Sequence, residues 1–243
     1  MIESAVILAA GSGTRLKPLT DHSPKCLTEI NSIPILINAL ENLDNLGIKN
    51  CTVVAGYFSE KIFKAIGSSF RNVQVSYILN EHYASTNDMY SLWLARHLLE
   101  RGVLLLEGDI FFRYKTIERA FSMCANRTCY LAGKYNGKKD EILISVDAGK
   151  KVHHIEVLRG RSGTISDHHY MSTGMLIIQG DYGMYLSHWL TGFIAHNAVN
   201  VLFDDVIGAH TDDAELLVVE VGHDEWVEVD TLEDVREAER VFA

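Results

Sequence analysis

The chain is short of cysteine, of basic residues and of long apolar runs, and each shortage argues against a class of protein. Cys26, Cys51, Cys124 and Cys129 are the whole complement in 243 residues. They form no Cys-x-x-Cys pair and no dense framework, which argues against a disulfide-stapled secreted domain and reads them as buried small hydrophobes in a reducing compartment. Lysine and arginine number 22 against 32 aspartates and glutamates, a formal charge of −10. That balance disfavours a nucleic acid or an anionic membrane surface as partner, so an anionic ligand must be met by local cations. No apolar stretch is long enough to span a membrane, and no basic segment precedes Glu3. A cytoplasmic protein without membrane insertion is the expectation. Neither His-x-x-x-His nor a Cys/His cluster is present, and the pairs His153-His154 and His168-His169 would point to opposite faces of a strand, so zinc is not indicated. Linkers, repeats and low-complexity segments are also missing, which leaves one domain over residues 1–243.

What the chain does have is alternation. Apolar runs of strand length (4–10, 51–55, 73–79 and 103–107) alternate with helical patterns at 34–46, 60–66 and 87–99. Such a sequence predicts an α/β fold of Rossmann-like kind, with a mixed, mainly parallel sheet flanked by helices. The second half reads richer in strands, at 130–132, 142–146, 152–157, 175–178 and 216–221, with helical stretches at 182–196 and 232–242. In sheets of this kind ligands bind beyond the carboxyl ends of the strands, which brings the loops after Ala10, Leu79 and Glu107 to one cleft.

The first of those loops carries the strongest signal. Leu8-Ala9-Ala10 runs into Gly11-Ser12-Gly13-Thr14-Arg15-Leu16, and Pro24-Lys25 follows. A Walker A loop needs four residues between its glycines and then Lys-Ser/Thr; a dinucleotide fingerprint needs a glycine where Leu16 stands. Both readings fail. The physics of an anion loop remains, because Gly11 and Gly13 let backbone N–H groups approach a phosphate and Arg15 offers a forked, permanent charge. An ordinary strand-to-helix turn with exposed cations is the plain alternative for Gly-x-Gly alone. Over the whole string from Leu8 to Leu27, however, the chain closely resembles the signature of the nucleotidyltransferases that join nucleoside triphosphates to sugar phosphates and to phosphorylated amino-alcohols.

Two carboxylates fit such a chemistry. Asp109 follows the apolar run 103–106 through Glu107-Gly108, a strand-end position suited to Mg²⁺, which takes one or two protein oxygens together with substrate phosphates. A turn aspartate capping the next helix is the alternative. Trp226-Val227-Glu228-Val229-Asp230-Thr231 is similar to the family's closing motif, in which the aspartate completes the metal site; Asp230 is equally a candidate N-cap for the last helix, and Glu228 a weaker ligand on the same strand face. The resemblance implies Mg²⁺ on Asp109 and Asp230, Lys25 at the α-phosphate and Arg15 on the β- and γ-phosphates. A phosphomonoester with a second pKa near ~6 is already an anionic nucleophile, so no general base is required. The nucleotide site then comprises residues 8–15, Lys25, Glu107 and Asp109 in a half covering about residues 1–115, with the acceptor in about 116–243.

The segment Asn80-Glu81-His82-Tyr83-Ala84-Ser85-Thr86-Asn87-Asp88 lies where this family reads its base. It lacks the glycine-rich form usual in sugar-nucleotide enzymes and looks like the cytidylyltransferase branch acting on phosphocholine and related aminoalkyl phosphates or phosphonates. Asn80, Ser85, Thr86 and Asn87 are the implied cytosine contacts, with helix capping as a coexisting role. The sugar enzymes' Glu-Lys-Pro segment appears only as Ile155-Glu156-Val157-Leu158. CTP therefore ranks above UTP and dTTP. An ammonium-bearing acceptor calls for aromatic faces or carboxylates; Trp226, Glu228, Glu156, Tyr135 and Tyr170 are the candidates, with His168-His169 near that end. Rival readings are a sugar-1-phosphate transferase and a non-catalytic nucleotide sensor; the second would be expected to lack Lys25, Asp109 or Asp230, and all are present. A monomer or homodimer is expected.

Overall fold

The computed structural model describes residues 2–243. Its main sheet runs, from edge to edge, through the strands Val152–Val157, Ile142–Val146, His169–Ile178, Val103–Glu107, Ser4–Ala9, Asn50–Ala55, Val73–Leu79 and Ser69–Phe70. The four strands from Val103–Glu107 to Val73–Leu79 are parallel, as the alternation predicts. Beyond them the sheet turns antiparallel at His169–Ile178, which also pairs with Cys129–Lys134, and that strand carries Leu217–Glu220 in parallel. Three of the parallel strands, Val103–Glu107, Ser4–Ala9 and Asn50–Ala55, are covered on both faces, and their side chains divide by period two. Ala5, Ile7 and Ala9 pack with the helices Ile35–Leu46, Ser59–Ile66 and Tyr114–Cys124, while Val6 and Leu8 pack with Asp88–Leu94, Gly180–Ala195 and Phe203–Gly208.

Several elements depart from the sequence reading. The predicted helix over 87–99 breaks at Ala95 into Asp88–Leu94 and Arg96–Leu99, where the chain turns to pack on the Gly180–Ala195 helix. The strand predicted at 175–178 begins at His169, crossing a bulge between Ser172 and Met175. Tyr114–Cys124 and Phe203–Gly208 are helices that the sequence reading did not name, although the buried set Ile117, Ala120 and Cys124 has helical spacing. Cys124 and Cys129 form a disulfide, against the expectation of four free thiols; the turn between them, with Ala125 and Asn126 at positive φ, brings their Cα atoms to 6.1 Å, within bridging range. Cys26 and Cys51 are free and buried as expected, and burial pushes both thiols up to about 12. No helix among the described residues is long and apolar enough to cross a membrane.

A buried acid sits under the second face. Asp204 is fully buried, its Oδ1 accepts a hydrogen bond from the Tyr130 hydroxyl at 2.6 Å, and its Oδ2 has no partner among the described residues. Burial raises its carboxyl to about 7, the Tyr130 bond only partly opposing. The folded state therefore holds a proton that an unfolded chain releases near pH 4. The stability that this proton confers is full below pH 4, falls as pH rises from 4 to 7, and is gone above. Asp204→Asn, which keeps an acceptor for Tyr130, should remove that decline and exceed the wild type at pH 8 by at most about 4 kcal/mol. Urea melts at pH 4 and pH 8 read the difference; parallel pH dependence in the two proteins would contradict the assignment.

Candidate active site

The strand Ser4–Ala9 delivers the glycine loop to the carboxyl edge of the sheet. Gly13 adopts φ 59°, and a Cβ there would lie 2.9 Å from the Lys25 Cβ, so glycine lets the loop close onto the lysine. The Thr20 hydroxyl donates to the Gly13 carbonyl at 2.8 Å, and Leu16, fully buried with Ile30, Phe111 and Val229, anchors the turn that carries Arg15.

The acids arrive by a separate device. Ile110–Phe112 pairs antiparallel with Trp226–Glu228, in a register that sets Glu228 opposite Ile110, and the Val229 amide donates to the Asp109 carbonyl at 2.9 Å. This small sheet is why a mid-chain acid and two acids of the tail meet. Lys25 lies among them: its Nζ is 2.6 Å from Asp109 Oδ2 and 2.5 Å from Asp230 Oδ1, while Arg15 reaches Asp230 Oδ2 at 2.7 Å. Glu107, Asp109 and Glu228 also cluster, each offering an oxygen within 4.8 Å of the others'. Asp109 belongs to both groups, and its Oδ1 is buried with no hydrogen-bond partner among the described residues.

The charges interlock. Burial works to lower the Lys25 ammonium, but Asp109, Asp230 and Glu228 outweigh it and hold it well above the ordinary lysine value. Asp230 stays below the usual carboxylate range because Lys25 and Arg15 overcome its burial. Glu107 and Glu228 lie well above it, through burial first and the Asp109 charge second. Two acids thus hold a cation while two neighbours favour the neutral form until a further cation arrives.

These groups open onto a cleft enclosing about 400 Å³. Of the sequence-named residues, Leu8, Ala9, Ala10, Gly11, Gly13, Thr14, Arg15, Lys25, Asn80, Thr86, Asn87, Glu107, Asp109, Glu228 and Asp230 line it. Ser12 and Ser85 do not; Ser85 turns its hydroxyl to the His82 carbonyl at 3.3 Å. Asn80 lines the cleft, but its amide donates to Thr86 and Ser91 and its oxygen accepts from the His82 amide, so it braces the loop instead of offering a free edge to a base. Asn87 caps the Asp88–Leu94 helix, accepting from the Asp88 amide. Thr231, and not Asp230, caps the last helix, Leu232–Val241, in a reciprocal arrangement with Asp234.

The acceptor candidates separate sharply. Trp226 is 6% exposed and packs in the core against Gly133, outside the cleft. Glu156 also lies outside, paired with Arg161. Tyr135 and Tyr170 are buried, and His168 and His169 do not reach the cleft either. Only Glu228 of that set lines it: Trp226 and Glu228 share a face of the 226–228 strand, but Trp226 lies opposite Phe112 toward the core and Glu228 opposite Ile110 at the cleft end. Residues with no role in the sequence reading complete the walls: Tyr83 and Asp88 from the base-reading segment, Lys138 to Glu141 from the turn after Cys129–Lys134, and Ser172 and Leu202. The charged run at 138–141 between two strands was the available signal for the turn.

Residues 4–138, more than half of the chain, match the family described as nucleotidyl transferase. The chain is 26% identical over 96% of its length to 2-aminoethylphosphonate cytidylyltransferase of Lancefieldella rimae, covering 90% of that protein. It is 36% identical over 47% of its length to CMP-5'-(3-aminopropyl)phosphonate synthase of Streptomyces rubellomurinus, of which the match spans only 18%. Among solved structures, CTP:phosphocholine cytidylyltransferase of Streptococcus pneumoniae superposes with a TM-score of 0.84 at 22% identity, over the full length of both chains, a likeness of fold. The glycine loop, its lysine and the strand-end acids thus stand in a chain that belongs to the nucleotidyl transferase family.

Proposed function

We propose that the protein transfers a cytidylyl group from CTP to a phosphonate or phosphate oxygen of a small amine-bearing acceptor. The observation that carries the reading is the seating of Lys25 between Asp109 and Asp230 beside the glycine loop, which places cationic and hard-oxygen groups where a metal-bound triphosphate needs both. Mg²⁺ fits the donor set, since Asp109 and Asp230 present carboxylate oxygens and the buried Asp109 Oδ1 has no protein partner among the described residues. Bound there, the ion would neutralise charge on the triphosphate and on departing pyrophosphate.

The chain's own residues do the rest. Backbone amides of the loop and Arg15 hold the phosphate tail, and Lys25, released from its carboxylates, stabilises charge at the α-phosphorus. An acceptor oxygen forms the new bond to that phosphorus as its bond to the bridging oxygen breaks, and the electron pair leaves with pyrophosphate. The acceptor is already anionic, so no protein base is needed.

Cytidine is favoured by the names of the relatives and by a base-reading segment without glycines. The cleft wall further favours a primary amine over a trimethylammonium group. A quaternary cation has no N–H and is held by aromatic faces, whereas a primary ammonium donates to carboxylates. Trp226, Tyr135 and Tyr170 stand outside the cleft, and a single aromatic residue among the described residues, Tyr83, lines it beside the glycine loop, whereas Asp88, Glu107 and Glu228 line it as carboxylates. A pyrophosphate-release screen of CTP, UTP, dTTP, ATP and GTP against 2-aminoethylphosphonate, phosphoethanolamine, phosphocholine and glucose-1-phosphate is the test. Fastest turnover is expected for CTP with one of the two primary amines. Faster turnover of glucose-1-phosphate with UTP or dTTP would overturn the cytidylyl assignment, faster phosphocholine turnover the amine assignment, and no turnover at all the enzymatic reading.

A further inference from the structure

A nucleoside triphosphate presents two unlike ends, an anionic tail and a flat π-surface, and the residues assigned above deal only with the tail. Of the polar side chains expected to read the base, Asn80 and Thr86 are occupied within the fold. The Asn80 amide nitrogen donates to Thr86 Oγ1 within the segment and to Ser91 Oγ in the following helix, and its oxygen accepts the His82 amide. The Thr86 hydroxyl in turn donates to the His82 carbonyl at 2.9 Å. Asn87 Oδ1 is taken by the Asp88 amide. Clamped in this way, the loop is stiff, and Tyr83 at its crest is the one aromatic residue lining the cleft among the described residues.

The placement of Tyr83 follows from its neighbours. Gly56 follows the strand Asn50–Ala55, and a Cβ on it would lie 2.8 Å from both the Tyr83 Cβ and the Ala10 carbonyl oxygen. Tyr83 therefore sits over the carboxyl ends of two adjacent parallel strands, beside the root of the glycine loop. Its ring lies 6.0 Å from that of Tyr57, whose hydroxyl donates to the Thr20 carbonyl at 2.9 Å, and Thr20 holds Gly13. One chain of contacts thus links the aromatic ring to the phosphate loop, fixing the spacing between the two.

We infer that Tyr83 is the platform on which the nucleobase stacks, with Asn80 as the positioning residue that holds the platform in place. The inference rests on the nucleotidyltransferase reading of the cleft and adds the base end to it. Every base has a π-face, so stacking supplies affinity with little choice among bases. Selection of cytosine then falls to the edge of the loop and not to the ring.

Binding of CTP, UTP and inorganic tripolyphosphate by calorimetry, without acceptor, separates the possibilities. Tyr83→Ala should weaken CTP and UTP alike, on the order of 10- to 100-fold, as for loss of one base–aromatic stack. Tripolyphosphate, which has no base, should bind both proteins equally, and Tyr83→Phe should bind CTP within about twofold of wild type because the stacking face remains. Unchanged CTP binding by Tyr83→Ala would overturn the inference, as would Tyr83→Phe losing as much as the alanine variant, which would assign the effect to the hydroxyl. An equal loss of tripolyphosphate would also overturn it, marking Tyr83 as a support of the phosphate loop. Should wild-type protein bind no nucleotide, the nucleotidyltransferase reading itself fails, an outcome distinct from all of these.

Discussion

Asp109→Ala is expected to abolish the proposed Mg²⁺-dependent pyrophosphate release from CTP, by at least about 10³-fold, in a protein that still melts cooperatively. The size follows from the position of the side chain, which is shared by the two groupings of hard oxygens in the cleft. Its removal takes an anionic ligand from either seat and leaves Lys25 paired with Asp230 alone. Losing one preorganised electrostatic contact costs about 10²–10³ in turnover, and a metal ligand adds to that. The fold survives because the strand end is held by its backbone: the Gly108 amide donates to the Leu8 carbonyl at 2.8 Å and the Asp109 carbonyl accepts from Val229. Turnover near the wild-type rate would remove Asp109 from the metal site.

Lys25→Ala separates binding from chemistry. Lys25 is asked to stabilise charge that develops at the α-phosphorus, so its loss should lower kcat by about 10²–10³ with the KM for CTP changed far less. A raised KM at constant kcat would reduce the lysine to a binding group. A second consequence runs in the opposite direction. Without nucleotide, Nζ occupies the point between Asp109 Oδ2 and Asp230 Oδ1 that a shared cation needs. The alanine variant leaves two facing carboxylates with no lysine between them, so bare Mn²⁺, followed by electron paramagnetic resonance, should bind on the order of tenfold tighter than to wild type. Equal Mn²⁺ affinity would show that lysine and ion do not compete.

In the parallel half, 103–107 was legible because burial on both faces leaves an uninterrupted apolar run, and 73–79 because its first residues alternate between buried and exposed; both begin and end where the structure has them. The glycine loop, Lys25, Asp109 and Asp230 were named through resemblance to a known family signature, and the structure brings them to one cleft. Other features depended on tertiary pairing that no local pattern encodes. Glu228 and Trp226 are two residues apart on one short strand, yet one lines the cleft and the other the core, and the pairing with Ile110–Phe112 decides which. Asn80 has the right chemistry to read a base, but Thr86 of the loop and Ser91 of the following helix take its N–H groups. The Cys124–Cys129 bridge needed the geometry of the intervening turn, which sequence separation alone does not give.

The meeting of lysine and strand-end acids around one ion is tested most directly by a crystal structure of the protein with CTP and Mg²⁺. The expected result is an ion about 2.1 Å from an oxygen of Asp109, of Asp230 and of the triphosphate, with Lys25 moved onto the α-phosphate. An ion held by Glu107, Asp109 and Glu228 while Lys25 still bridges Asp109 and Asp230, or CTP bound outside the cleft, would contradict it.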